Sequence, residues 1–70
     1  MTTELRITVN GEVLAVAAGS SVADLLERLG VATPRVAVER NRDILPRASY
    51  RETELAEGDV FEVVELVGGG

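Results

Sequence analysis

The last three residues of this 70-residue chain are Gly68, Gly69 and Gly70. They carry the one unusual functional group in the sequence, a main-chain carboxylate at the end of a run without side chains. Glycine has no Cβ, so such a run takes either sign of φ and can thread a narrow channel. Fully extended, the residues from Leu66 to Gly70 reach roughly 16–18 Å. That length can place the carboxylate inside another protein's active site while a folded body stays outside. A carboxylate is a poor acyl donor until activated. ATP can convert it to an acyl-adenylate, which sulfide or a thiol then attacks. Terminal glycines are also common as plain chain ends, so the triplet takes its meaning from what precedes it.

The side chains add little chemistry. There is no Cys, His or Trp, and all seven basic residues are Arg. Zero Cys excludes a disulfide framework, a thiolate nucleophile and a thiolate metal site. Zero His removes the commonest general base and metal ligand. No Lys amine is present to attack an activated carboxyl end, although an Arg-rich composition accounts for that equally well. Tyr50 is the only phenol and is expected to anchor a loop by packing. The acids Asp24 and Glu27, and Glu52, Glu54 and Glu57, read as helix cap and solvated surface rather than as a metal cluster. Asn41, Arg42 and Arg47 could contact a partner, and Arg47, next to Pro46, also reads as a plain surface residue. The chain is expected to bind no metal or cofactor itself and not to be an enzyme on its own.

The elements that must position the glycine end can be read from periodicity. Leu5, Ile7 and Val9 alternate with polar residues, as in a half-buried strand. Asn10-Gly11 follows, a strong hairpin signal because both positions tolerate positive φ, and Val13 to Val16 resume as a second strand. Ser21 is a good N-cap, and Asp24 completes a capping-box-like pair. Val22, Leu25, Leu26 and Leu29 then form one helix face, and Gly30 stops it. Val36 to Val38 read as a short buried strand. Asn41 to Asp43 form a turn into Ile44-Leu45, and Pro46 ends that piece. Arg47 to Thr53 is loop or a short helical turn, with Leu55 an isolated anchor and Glu57 to Asp59 a turn. Val60 to Val67 is the longest β-rich run.

One helix and several strands imply an α+β fold, a mixed sheet with the helix packed on one face. The hairpin-then-helix opening and the long last strand suggest a β-grasp. The last strand would lie parallel to the first, between the hairpin and the third strand, an order taken from that fold and not from periodicity. The expected division is a domain over 1–67 and a tail over 68–70. By parity Leu5, Ile7, Leu14, Val16, Phe61 and Val63 face the helix. Val13, Val60, Val64 and Leu66 fall on the open face. Val64 and Leu66 adjoin the tail and are candidates for partner docking, with Val67, and Glu62 and Glu65 could form an acidic rim for basic partner residues.

Size and charge narrow the class further. The chain has room for one small domain. Twelve carboxylates against seven Arg, a formal net charge of −5, argue against nucleic-acid binding. No apolar run approaches the ~20 residues that cross a bilayer, and MTTELRITVN lacks the regions of a signal peptide. A cytoplasmic protein, monomeric when free, is expected.

The blocks ITVNGE (7–12), SVADLLERLG (21–30), VAVERNRDILPR (36–47), EGDVFEVV (57–64) and VGGG (67–70) resemble the sulfur carrier protein family of thiamin biosynthesis, nearly end to end. The hairpin and helix blocks are generic, whereas VAVERN–ILPR with the VGGG end is fairly specific. The resemblance implies a ubiquitin-like β-grasp. It also implies a ubiquitin-activating-type partner that adenylates the terminal glycine with ATP and Mg²⁺. A sulfur-mobilising enzyme would supply the sulfur, and thiazole synthase would receive it from the thiocarboxylate. On that basis Gly70 is the modified residue, and Gly68 and Gly69 are the threading segment. The alternatives are a carrier for molybdopterin, tRNA thiolation or amino-acid biosynthesis, and a non-covalent ubiquitin-like interaction module.

Overall fold

The computed structural model describes residues 3–31 and 33–66. Strands β1 (Glu4–Val9) and β2 (Glu12–Ala17) form an antiparallel hairpin. Asn10 and Gly11 turn it with φ of 50° and 86°, the left-handed pair that matches strand twist in a two-residue loop. Helix α1 (Val22–Leu29) follows, then a 3₁₀ turn (Thr33–Arg35), β3 (Val36–Arg40), β4 (Asp43–Leu45), a second 3₁₀ turn (Arg47–Ser49) and β5 (Val60–Glu65). The sheet order is β2-β1-β5-β3-β4. Strand β5 is parallel to β1 and antiparallel to β3. This is the β-grasp arrangement, and it puts the last strand at the centre of the sheet.

The helix boundaries follow local chemistry. Ser21 Oγ accepts from the Asp24 N–H at 3.1 Å, and an Asp24 carboxylate oxygen accepts from the Ser21 N–H at 2.9 Å, so two end donors are satisfied reciprocally. The next two donors find the long loop, Val22 N–H bonding Thr53 O and Ala23 N–H bonding Tyr50 O. At the other end Gly30 has φ 74°, and the Val31 N–H reaches back to Leu26 O. That is a left-handed stop which suits glycine.

Strand parity and the helix stripe meet in one core. Phe61, Val22, Leu26, Ile7, Val38 and Leu25 are fully buried, joined by Val9, Val16, Val36, Val63, Leu55 and Tyr50. Leu5 and Leu14 pack against this cluster half-buried. Leu29 belongs to the expected helix stripe but is 37% exposed, because it sits in the last turn of α1. The loop anchors Tyr50 and Leu55 are both buried. The turn into β4 is a second left-handed pair, Asn41 and Arg42, at φ 51° and 75°.

Candidate functional site

Strand β5 carries the chain out of the sheet, so the site is built around its outward face and its C-terminal end. Val60, Glu62 and Val64 alternate with the buried Phe61 and Val63, and all three are exposed. Val60 and Val64 are 45% and 54% exposed, and Leu66 beyond the strand is 53% exposed. Val60, Val64 and Leu66 are exposed, as expected from parity, and Glu62 alternates with the same buried residues.

The register adds neighbours that parity within one strand does not reveal. Ala37 lies opposite Val64, Glu39 opposite Glu62, and Ile44 opposite Glu39. Thr8 lies opposite both Val60 and Val13. The outer face therefore has an apolar patch around Val64, Ala37 and Leu66, and a like-charged pair, Glu39 and Glu62. Ile44 is 77% exposed and extends this face to the sheet edge. A three-residue strand is too short for periodicity to set its parity, so only the pairing places Ile44. Glu65 differs from Glu62: it lies opposite Val36 and shares the parity of Phe61 and Val63. It is exposed at the strand end, on the helix side rather than beside Glu62.

Two asparagine side chains hold β5 from its flanking turns. The Asn41 Oδ1 accepts from the Val60 N–H at 2.9 Å, and the Asn41 N–H donates to Val60 O. At the other turn, the Asn10 Oδ1 accepts from the Val63 N–H at 2.8 Å, and its Nδ2 donates to Val63 O at 3.1 Å. The start of β5 is also fixed by Asp59, 5% exposed. Its carboxylate accepts from Arg40 Nε at 3.1 Å, Asn41 Nδ2 at 3.2 Å and the Ala56 N–H at 2.9 Å. Sequence reasoning placed Asp59 only in a turn.

Val67, Gly68, Gly69 and Gly70 lie outside the described residues, as does the junction between the expected domain over 1–67 and the tail over 68–70. Leu66, the last described residue, donates its N–H to Arg35 O at 2.6 Å. Of the acids Asp24, Glu27, Glu52, Glu54 and Glu57, two are engaged elsewhere: Asp24 caps α1, and a Glu57 carboxylate oxygen accepts from the Arg6 N–H. Among the described residues no three metal-ligating side chains come together, and no helix is long and apolar enough to cross a membrane. A cleft of about 670 Å³ opens between α1 and the second 3₁₀ turn, lined by Asp24, Glu27, Arg47, Tyr50 and Arg51 among others, and includes no residue of β5.

The ThiS family model matches residues 3–70. The chain belongs to the ThiS family. Relatives agree with this. The sulfur carrier protein ThiS of Bacillus subtilis (strain 168) is 42% identical over 50 residues, 71% of this chain and 76% of that protein. The thiazole synthase of Paramagnetospirillum magneticum is 41% identical over 66 residues, 94% of this chain. The chain spans only 20% of that relative's length. A crystal structure of the thiamine biosynthesis protein (ThiS) from Geobacter metallireducens superposes with a TM-score of 0.76 at 36% identity, covering 94% of this chain and 100% of that one. The β-grasp expected from the order of elements is thus the fold of a ThiS-family protein.

Proposed function

We propose that this ThiS-family chain is a sulfur carrier of thiamin biosynthesis and a protein co-substrate rather than an enzyme. The carboxyl of Gly70 is its carrying group. One of its oxygens attacks the α-phosphorus of ATP, giving a Gly70 acyl-adenylate and pyrophosphate. Hydrosulfide then adds to the acyl carbon and expels AMP with release of a proton, leaving a thiocarboxylate. Both steps are redox-neutral, with the sulfur at the sulfide level before and after. ATP and Mg²⁺ are held by a ubiquitin-activating-type partner, and a sulfur-mobilising enzyme provides the sulfur.

The chain's own contribution is a handle and a tether. Val64, Leu66 and Glu62 on the outer face guide the partner, with Val67 and the strand-end Glu65 nearer the tether. Gly68 and Gly69 pass through the partner's channel, where a Cβ would obstruct. Carriage to a thiazole synthase is supported by the relative of that name, which contains a segment similar to this chain. The observation that carries the reading is the central β5 leading into the Gly68–Gly70 end, in a chain that the family model matches through residue 70.

Intact-mass measurement tests it. Incubated with the activating enzyme, ATP and a sulfur donor, the protein should gain the mass difference between sulfur and oxygen, and a chain lacking Gly69 and Gly70 should not. No gain with an enzyme that is competent on another carrier overturns the reading and favours the non-covalent module. Thiazole formation with the synthase separates the thiamin carrier from carriers of other pathways.

A further inference from the structure

We propose that Asn10 is a positioning residue for the activation of Gly70: its side-chain amide substitutes for a missing strand neighbour and holds the end of β5 on course. The inference rests on the carrier reading above and assigns a part of that function to a turn residue 53 positions away from its contact. Strand β1 pairs with β5 only at Thr8–Val60 and Val9–Phe61. The Asn10 N–H adds one bond to Phe61 O, and there the backbone turns back into β2. From Val63 onward β5 has β3 on one side and no strand on the other.

The Val63 N–H and C=O point toward that empty side, and the Asn10 amide meets both of them. A primary amide presents one acceptor and two donors, so it can imitate the donor and acceptor of a paired strand residue. The turn conformation makes this possible: at φ 50° the Asn10 backbone bonds Phe61 while its side chain bonds Val63. Val63 is the last point at which the β1 side holds β5, three residues before Leu66. The β3 side holds the strand end through the Leu66 N–H to Arg35 O bond, so the direction in which the chain leaves the sheet toward Gly70 is set from two sides, and the Asn10 clamp is the hold on the β1 side. A strand end held from the β3 side alone has more freedom to twist about that pairing, presents the glycine end in the productive direction for only part of the time, and lowers the apparent affinity for the partner by that fraction.

The test compares Asn10→Gly with Val16→Ala. Glycine keeps the left-handed turn and deletes only the amide, whereas Val16→Ala destabilises the core from β2, two strands away from β5 in the sheet. Amide hydrogen exchange and the kinetics of adenylation by the activating enzyme are measured on both full-length variants. Asn10→Gly should speed exchange at Val63 about tenfold beyond any global change, as expected for losing a net hydrogen bond or two. It should also raise the KM for the carrier several-fold with kcat unchanged. Val16→Ala should lower stability without either signature. Unchanged Val63 exchange in Asn10→Gly overturns the clamp, and faster exchange with an unaltered KM overturns the positioning role. Failure of the wild-type protein to be adenylated overturns the carrier reading, and the activation role of Asn10 with it; the exchange measurement still decides on the clamp.

Discussion

At the scale of single residues, the composition makes one titration unusually clean. Burial raises the Tyr50 phenol above its ordinary value of 10.0, with the Arg47 guanidinium pulling weakly the other way. A group whose folded pKa is raised binds its proton more tightly in the native state. Its stabilising contribution is complete below the unfolded value and is lost as pH rises through that value toward the folded one. The chain has no Lys, His or Cys and a single Tyr, so Tyr50 is the one side chain of a type that ordinarily titrates between about pH 7 and 11. The wild-type urea midpoint should therefore hold steady to about pH 9 and fall by pH 11, and Tyr50→Phe should remove most of that fall. A wild-type midpoint that stays level to pH 11 contradicts the burial of the phenol. Tyr50 was legible as an anchor because an isolated aromatic in a polar loop has little else to do. The second role of Asn10 was not, because it depends on the alignment of a turn with a strand 53 positions away.

At the scale of elements, the hairpin, the helix with both caps, and the faces of β5 were readable because each is specified by neighbours within a few positions. The 3₁₀ turn at Thr33–Arg35 and the outward placement of Ile44 were not, since they are set by tertiary packing and sheet register. Asp59 belongs to the same group. Its carboxylate ties the end of β3, the Asn41 turn and the Ala56 backbone to the start of β5. Asp59→Ala leaves those donors without their acceptor, and its Arg40 partner is 32% exposed and can recover some solvation. The expected loss is about 2 kcal/mol of unfolding free energy, read as a lower urea midpoint. A loss below about 0.5 kcal/mol would assign this network no more weight than an ordinary surface contact. Glu62 predicts the opposite sign. It stands directly across from Glu39, and like charges in that position destabilise a sheet. Glu62→Gln should stabilise the free protein by a few tenths of a kcal/mol while slowing its adenylation at low salt. Equal adenylation rates for variant and wild type at low salt would remove Glu62 from the docking surface.

At the scale of the whole molecule, one strand joins stability to presentation. The inner face of β5 supplies Phe61 and Val63 to the core, its edges pair with β1 and β3, and its outer face is exposed; under the proposed function that face and the C-terminal end meet the partner. Alternation separates these duties, so a change on the outer face should alter encounter without altering the fold. Val64→Asp tests that separation. Val64 is 54% exposed, so a carboxylate there stays hydrated and unfolding should shift by less than about 1 kcal/mol. Against the partner the same carboxylate must be desolvated amid Ala37 and Leu66, and an unpaired charge in an interface core typically costs a tenfold or larger loss of affinity. The expected result is a native circular dichroism spectrum with adenylation slowed about tenfold at sub-saturating carrier. Val13→Asp provides the spatial control. Val13 is exposed on the same outer face but on β2, two strands from β5, and the same charge there should slow adenylation far less. Equal losses at the two positions would mean that general repulsion by a more acidic surface governs the encounter. Wild-type rates for Val64→Asp would move the docking surface away from this face and leave the glycine end alone to explain recognition.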